Sequence, residues 1–408
     1  MKILQTFAIL CYFGMCSVDG IDKIISLCKN NDSVESKKRC EKMFAKKDIN
    51  TGRQQELDYM KGLFVPMILF IHAFQMLGGP DALVPAYQII YIIATMTGAA
   101  IFMFVLGVGS VYSKKTDKDL ALYGVKLIIM ELVWNVLTLA LPMITGQLIR
   151  TVAGVTPDWE ETLMRLPVMI EYINIFFVAG MCYFVIVILR KLNLPAMGYI
   201  VIAVILFAAG PVLYMNGKST GNEIADYILK TFAGGRDAVS LVFVSLVPHA
   251  LLGVGFGKLL RRTQNKGRLY GVLAIPLMLI VAGYFAYAIT THTDLTDLYT
   301  YSDIGYTYPG VLRAFANASS VILLAGLLYA LRNVISKCTP LHNIIMQFCR
   351  NNTPYYAIHP FYYCTILATA AYVPFSAGVC TAAAVVVSVL CYATILLWNR
   401  VRTSKPNK

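Results

Sequence analysis

Charged residues are scarce in this sequence. Asp, Glu, Lys and Arg make up 14% of the 408 residues, and 58% of the residues are hydrophobic. In soluble globular domains the charged fraction is about 25%. The composition therefore excludes a soluble globule and indicates a chain that folds in lipid. The formal net charge is +13, but the basic residues are distributed over many short segments, so nucleic acid is not expected as a partner.

Several common functional motifs are also missing. The sequence has no glycine-rich nucleotide loop, no Ser nucleophile elbow and no internal repeat, which argues against an ATP-driven protein or a soluble hydrolase. None of the ten cysteines forms a Cys-x-x-Cys pair. We therefore expect packing residues or free thiols, and no metal site.

Long apolar stretches dominate what is present. Roughly 20 apolar residues are needed for a helix to cross the hydrocarbon layer, and ten stretches approach this length. The sequence thus predicts an all-α polytopic bundle of about ten transmembrane helices. The predicted spans are Met60–Leu77, Leu83–Tyr112, Leu120–Pro142, Pro167–Leu189, Leu194–Met215, Ala238–Gly257, Leu269–Thr291, Gly310–Leu331, Thr353–Val373 and Gly378–Trp398.

The basic residues indicate the orientation of this bundle. Most of the 35 Lys and Arg residues fall in the N-terminal segment, in alternate loops and in the C-terminal tail. Cytoplasmic loops carry such an excess, so both termini are predicted to be cytoplasmic. We expect the protein to lie in the plasma (inner) membrane. We expect a cytoplasmic arm over 1–59, a transmembrane domain over 60–398 and a cytoplasmic tail over 399–408. The opposite side carries only Arg150, Arg165, Lys218, Lys230 and Arg236.

The N-terminal arm opens with an apolar run, Ile3–Val18, which has the length of a secretory signal. Cleavage after Val18 would place nine basic residues outside and contradict the charge pattern. An uncleaved interfacial helix or an extra span over 3–18 is the alternative that we favour. The polar remainder, Asp19–Tyr59, is predicted to be a helical or mobile arm.

The first predicted span has the most informative polar residues. Lys61 and His72 are eleven residues apart, which is about three helical turns, so they share one face about 16 Å apart along the axis. Asp58 joins that face one turn earlier. Ionisable groups at membrane depth are costly and normally face a cavity or a partner. His72 is thus either a reactive group in a cavity or a hydrogen-bonding partner of a neighbouring helix, and the spacing leaves both open.

This span resembles the opening helix of the acyltransferase 3 superfamily. The signature of that helix is Arg or Lys, ten residues and then His, after a preceding Asp, and the matching segment is LDYMKGLFVPMILFIHAF. Two further segments, AAIFMFVLGVGSVYSKK and PHALLGVGFGKLLRR, resemble helices of this family and of the related heparan-alpha-glucosaminide N-acetyltransferase group. A late element of the family is similar to RNNTPYYAIHPF. The basic position holds Lys where Arg is common, and Lys lacks the planar fork for bidentate phosphate contacts.

The resemblance implies transfer of an acyl group, usually acetyl, from cytoplasmic acyl-coenzyme A to a hydroxyl or amine of a glycan or other acceptor. Acetyl-coenzyme A would be a co-substrate, with no permanently bound cofactor. The resemblance gives His72 the catalytic role and Lys61 the donor-binding role, with Asp58 orienting the lysine. Lys126 is a further donor-binding candidate, because coenzyme A is polyanionic.

Other polar residues at membrane depth are candidates for the cavity or for contacts with the acceptor. Each of them is equally compatible with an ion-pair or hydrogen-bond network that only fixes the helices. These candidates are His359, Glu131, Asn135, Glu171, Asn174 and Arg313.

Two other functions compete with acyl transfer. A secondary transporter would also bury ionisable residues, although paired Gly- or Pro-broken helices that would suggest repeated halves are missing. A membrane haem protein could use His72, His249 and His359 as axial ligands. The two remaining histidines, His292 and His342, are predicted to lie in loops.

Overall fold

The computed structural model describes residues 43–79, 82, 84–152, 154, 156–170, 174–215, 220–233, 243–291, 310–369 and 374–403. The predicted helix over 3–18 lies outside these ranges, as do Glu171, Lys218, Arg236 and His292.

Helices make up 86% of this described part, and no strand occurs in it. The all-α class predicted from composition is thus present. In chain order the helices are α1 Gln55–Leu77, α2 Pro85–Tyr112, α3 Asp117–Asn135, α4 Leu141–Val152, α5 Trp159–Ile170, α6 Ile175–Lys191, α7 Ala196–Met215, α8 Glu223–Ala233, α9 Phe243–Arg262, α10 Lys266–Thr290, α11 Val311–Lys337, α12 Thr339–Arg350, α13 Asn352–Thr369 and α14 Ala377–Thr403.

Seven helical segments in the described ranges are long and apolar enough to cross a membrane. They coincide with seven of the ten predicted spans. The other three predicted spans also coincide with helices, namely α6, α7 and α13, which are not among these seven. Ten crossings and the orientation of the termini therefore stay predictions. The seven segments are Gln55–Leu77, Tyr87–Tyr112, Asp117–Val152, Phe243–Arg262, Lys266–Thr290, Val311–Lys337 and Ala377–Val401.

The third span is longer than the sequence predicted. It was expected to end at Pro142, but a π-helical turn, Val136–Ala140, joins α3 directly to α4. In this turn the N–H of Leu141 donates to the carbonyl of Val136, five residues back. A proline ring clashes with the carbonyl four residues before it in a regular α-helix. The wider turn removes this conflict, so the helix continues to Val152.

A bend interrupts α2 at Gly98, where the backbone leaves the helical region with φ −31° and ψ −105°. Gly98 and Gly107 are both positions at which a long helix can bend. Only Gly98 has non-helical angles in α2. Gly107 instead allows close packing, since a Cβ there would lie 1.9 Å from the carbonyl oxygen of Ala250.

The described residues divide into two compact units. The first unit consists of the described parts of Met1–Glu56, Ala99–Ile128 and Ile173–Ala330. The second unit consists of the described parts of Leu57–Gly98, Ile129–Tyr172 and Leu331–Lys408.

In the first unit, α2 and α9 are in backbone contact. The Cβ of an alanine at Gly253 would lie 2.0 Å from the carbonyl oxygen of Phe104, and Gly107 faces Ala250 in the same way. Small residues allow such an approach between membrane helices, where close packing rather than the hydrophobic effect drives association. The glycine spacing of α9 therefore has a direct packing role.

Residues 43–54 of the first unit form a non-helical segment against the end of α9 and the residues that follow it. The N–H groups of Ala45 and Ile49 donate to the carbonyls of Arg262 and Arg261, at 2.7 and 2.8 Å. Asp48 forms an ion pair with Arg261, at 2.8 Å. The described stretch of the predicted arm is thus not helical, and hydrogen bonds attach it to the end of α9. The arm also ends earlier than Tyr59, because α1 begins at Gln55.

In the second unit, α1 packs against α12 and α13. A Cβ at Gly62 would lie 2.1 Å from the carbonyl oxygen of Ile345, so the two backbones touch. The hydroxyl of Tyr363 donates to the carbonyl of Leu69 at 2.7 Å, which links α13 to α1. These contacts determine which side chains of α1 face α13.

Candidate functional site

His72 and His359 are in direct contact in the second unit. Nδ1 of His72 lies 2.7 Å from Nε2 of His359, and the ring centroids are 4.9 Å apart at an interplanar angle of 30°. His359 is completely buried, and His72 is partly buried. The sequence assigned both rings to one cavity as separate candidates, and the structure brings them together as a pair.

The hydrogen bonds of His359 define where the protons lie. Its Nδ1 is 2.8 Å from the carbonyl oxygen of Tyr355. A carbonyl can only accept, so this Nδ1 carries the proton, and in a neutral His359 the Nε2 atom holds a lone pair. His72 then donates its Nδ1–H to that lone pair. The second nitrogen of His72, Nε2, is left as the basic atom of the chain.

A proline directly follows His359 in α13. Pro360 lies inside the helix and has no N–H, so the carbonyl of Tyr356, four residues earlier, loses its usual donor. Prolines inside membrane helices are tolerated where other groups satisfy the freed backbone. In this same turn His359 folds its ring back onto the backbone at Tyr355.

Aromatic side chains enclose the histidine pair. Tyr356 contacts both imidazoles edge-on, with centroid distances of 6.4 Å to His72 and 5.6 Å to His359. Trp134 stacks on Tyr356 at 6.4 Å, and Tyr363 lies edge-on to His359 at 5.8 Å. These rings lower the polarity around the pair, which strengthens the hydrogen bond between the two imidazoles. The sequence analysis missed both tyrosines, although they lie three residues before and four after His359, which is the spacing of one helical face.

Lys61 and Asp58 form an ion pair on the first two turns of α1. The Nζ atom lies 3.3 Å from Oδ1 of Asp58, and the lysine side chain is 25% exposed. The thiol of Cys349 also donates to this carboxylate, at 3.5 Å. Asp58 therefore restricts the position of the lysine amine, which stays accessible. This geometry is compatible with the expected orienting role of Asp58, and binding of a donor stays a prediction.

His342 lies in α12, where the sequence had predicted a loop. Its Nδ1 is 2.9 Å from the hydroxyl of Tyr59. The Pro at the start of α12 is well tolerated in a first helical turn, so the polar sequence around His342 forms an amphipathic helix. The bond to Tyr59 gives His342 a role in attaching α12 to α1.

Glu131 and Asn135 are buried one turn apart on α3, in the second unit. Asn135 donates its side-chain amide to the carbonyl of Ile170 at 2.9 Å. This bond joins α3 to the end of α5, which fits the structural alternative for Asn135. The indole of Trp134, which lies between these residues in sequence, donates to the carbonyl of Ala357 at 3.0 Å.

The remaining described candidates belong to the first unit. Lys126 is exposed on α3. Asn174 caps α6, where its side chain accepts from the N–H of Ile175 at 2.8 Å. Arg313 is buried near the start of α11. The structure gives Asn174 a helix-capping role, and the donor and acceptor roles of Lys126 and Arg313 stay predictions.

The geometry of the pair is unfavourable for haem ligation by these two rings together. Two axial Fe–N bonds of about 2 Å each would need nitrogens about 4 Å apart, but these nitrogens are 2.7 Å apart. His249, the third histidine considered, is buried on α9 in the first unit, with its ring edge-on to Phe207 at 4.7 Å.

Comparison of the chain with protein-family models, with curated proteins and with solved structures gave no match. The resemblance to the acyltransferase 3 superfamily therefore depends on the quoted segments alone. Any function has to be argued from the histidine pair and its surroundings.

Proposed function

We propose that this protein is an integral membrane acyltransferase. It would move an acyl group, most simply acetyl, from acyl-coenzyme A to a hydroxyl or amine of a glycan or other acceptor. The observation that carries this proposal is the hydrogen-bond chain from the Tyr355 carbonyl through His359 to His72. Such a chain fixes the tautomer of the outer histidine and leaves its Nε2 as a base.

In one route His72 acts as a general base. Its Nε2 takes the proton of the acceptor hydroxyl, the acceptor oxygen forms a bond to the thioester carbon, and the carbon–sulfur bond breaks. The proton then passes from His72 to the departing thiolate. His359 stabilises the transient imidazolium through its Nε2 lone pair, as the orienting group of a hydrolytic triad does.

In the other route His72 is a nucleophile. Its Nε2 forms a bond to the thioester carbon, coenzyme A thiolate leaves, and the Nδ1 proton moves towards His359. The acceptor oxygen or nitrogen then forms a bond to the acyl carbon as the bond from this carbon to Nε2 of His72 breaks. The acceptor proton goes to the coenzyme A thiolate, and His359 returns its proton to Nδ1 of His72. Both routes need the same hydrogen-bond chain, so the geometry supports acyl transfer without selecting between them.

Lys61 is proposed to bind the phosphates of the donor. Its amine is partly exposed, and Asp58 holds it in place at 3.3 Å. A polyanionic donor would compete for the lysine with one neighbouring carboxylate. We further propose that the end of α1 that carries Lys61 faces the cytoplasm, where acyl-coenzyme A is found. The protein would lie in the plasma membrane, with its acceptor on the opposite side.

The test uses purified protein in liposomes and measures acceptor-dependent release of free coenzyme A. We expect His72→Ala to abolish release at normal protein abundance. Lys61→Ala should raise the KM for the donor and leave kcat nearly unchanged, since it removes binding rather than chemistry. His249→Gln is the matched control, because it replaces a buried histidine outside the site, and it should keep the wild-type rate.

Three outcomes would reject the proposal. Unchanged coenzyme A release by His72→Ala would remove the catalytic role of the imidazole. Loss of both variants from the membrane would show that His72 and Lys61 are structural. Solute flux without thioester consumption would identify a secondary transporter instead. Trapping of an acyl group on the peptide that contains His72 would select the nucleophilic route.

A further inference from the structure

A groove of about 680 Å³ runs between α10 and α11 in the first unit. On α10 it extends from Gly267 to Met278, and on α11 from Ser320 to Ala330. Space is open beside α10, because a Cβ built at Gly271 meets no atom within 4 Å.

The size of the groove limits what can occupy it. Eleven residue steps along α10 correspond to about 16 Å at 1.5 Å per residue, which is about half of the 30 Å hydrocarbon layer. The groove thus has the depth of one leaflet. An extended acyl chain fits this depth.

The surroundings of the groove are apolar. Of the seven segments that could cross a membrane, α10 is the least buried. Only 11% of its most apolar stretch is buried inside the protein. Leu273, Leu277 and Met278 line the groove on α10, and Leu323 and Leu327 line it on α11. In a bilayer such a groove is in contact with lipid chains rather than water.

One end of the groove is positively charged. Lys266 immediately precedes Gly267, and its Nζ lies 5.8 Å from the ring centroid of Tyr329, which lines the groove. Glu56 neutralises this lysine at 2.9 Å. Arg268 makes no side-chain ion pair or hydrogen bond within the described part of the chain. The N-terminus of α10 adds the positive end of the helix dipole, so a positive charge is left over at the membrane surface.

We propose that this groove is a binding site for an anionic phospholipid. One acyl chain would lie along Gly271 and Leu327, and the phosphate would lie near Arg268 at the surface. The charge at the Arg268 end favours an anionic headgroup over a zwitterionic one. This site lies wholly within the first unit and does not depend on the proposed acyl transfer.

The test compares photo-crosslinking of two lipids to the full-length protein in phosphatidylcholine vesicles. One probe is phosphatidylglycerol with a diazirine in its acyl chain, and the other is the corresponding phosphatidylcholine. Crosslinked residues are mapped by mass spectrometry. We expect labels to concentrate at Leu273, Leu323 and Leu327, and to be stronger with the phosphatidylglycerol probe.

Two glycine variants make this test specific. Gly271→Leu fills the open space of the groove and should cause loss of the concentrated labels. Gly283→Leu is the matched control, since it lies on the same helix, also meets no atom within 4 Å and does not line the groove. It should be labelled like the wild type. Arg268→Gln should abolish the preference for phosphatidylglycerol while labels at Leu323 persist.

Labels spread evenly along α10, and unchanged by Gly271→Leu, would show ordinary contact with bulk lipid and overturn the proposal. No label in the groove from either probe would show that the groove is closed to lipid, as it would be under a second copy of the chain, and would also overturn the proposal. Equal labelling of the wild type by both probes would remove the anionic headgroup from the proposal.

Discussion

Trp134 connects α3 to the helical turn that carries the buried histidine. Its indole N–H donates to the carbonyl oxygen of Ala357 at 3.0 Å, two residues before His359. Its ring also stacks on Tyr356 at an interplanar angle of 17°. One side chain therefore supports both the backbone and the aromatic wall of the site.

We predict that Trp134→Phe weakens the site without unfolding the protein. The phenyl ring keeps part of the stacking, but the hydrogen bond is lost, which lowers the free energy of unfolding by about 1 kcal/mol. A looser turn should also lower kcat, with little change in either KM. Trp398→Phe is the control, because Trp398 is 68% exposed on α14. Wild-type stability and kcat in Trp134→Phe would contradict the supporting role.

A second prediction concerns His359 as a positioning residue that acts through His72. His359→Phe keeps a ring but cannot accept the His72 proton, so the rate should fall by about 10²-fold or more. His359→Gln offers an amide oxygen as an acceptor and should recover part of the rate. The measurements are kcat, both KM values and the pH profile of kcat.

A purely structural role for His359 gives a different pattern. Both variants would then lose rate in proportion to their loss of folded protein, with an unchanged pH profile. Equal rates for the Phe and Gln variants, at equal amounts of folded protein, would likewise contradict the proton-accepting role.

A third prediction concerns the contact between α1 and α12. Gly62→Ala would place a Cβ 2.1 Å from the carbonyl oxygen of Ile345, and a backbone carbonyl cannot rotate away as a side chain can. We expect destabilisation by about 1–3 kcal/mol, typical of an overpacked contact. Gly109→Ala meets no atom within 4 Å in α2 and should be neutral or stabilising, because alanine favours a helix by about 1 kcal/mol over glycine. Thermal unfolding in detergent distinguishes the two, and equal melting temperatures would show that the helices can separate freely.

A fourth prediction concerns the ion pair between Glu56 and Lys266. Glu56 is 1% exposed and Lys266 is 16% exposed, at 2.9 Å, so Glu56→Gln leaves a largely buried charge without its partner. This loss should lower the free energy of unfolding by about 3 kcal/mol. The double variant Glu56→Gln with Lys266→Gln should recover much of it, because the remaining charge is removed as well.

The ion pair between Asp48 and Arg261 provides the comparison. Its side chains are 37% and 32% exposed, so Asp48→Asn should change the free energy by about 1 kcal/mol or less. Unfolding titrations of the three variants and the wild type in mixed micelles give these values. A double variant no more stable than Glu56→Gln alone would contradict the pairwise account.

The sequence predicted the helices well where hydrophobic length alone determines them. The central parts of α1, α10 and α11 coincide with long apolar runs in the sequence. It predicted the end of the third span at Pro142 incorrectly, because proline normally ends a helix. A π-helical turn is a local rearrangement that no hydrophobic pattern reports.

The candidate site was predictable only in part. The eleven-residue spacing selected Lys61 and His72, because both lie on one helix and periodicity relates them. The contact between His72 and His359 joins residues 287 positions apart, and no periodicity connects two different helices. Likewise, the attachment of residues 43–54 consists largely of backbone hydrogen bonds, which leave no trace in residue type.

The attachment of residues 43–54 has a consequence for the order in which parts of the fold can assemble. These residues supply donors to the last carbonyls of α9, and Asn50 reaches the carbonyl of Leu260, 210 residues later, at 3.1 Å. Residues 43–54 are synthesised before α9. Their donors therefore have no such acceptors until α9 has left the ribosomal exit tunnel. If residues 43–54 were removed, the last carbonyls of α9 would accept hydrogen bonds from water or lipid headgroups instead. We expect the late stage of assembly, after α9 is synthesised, to be the step that fails.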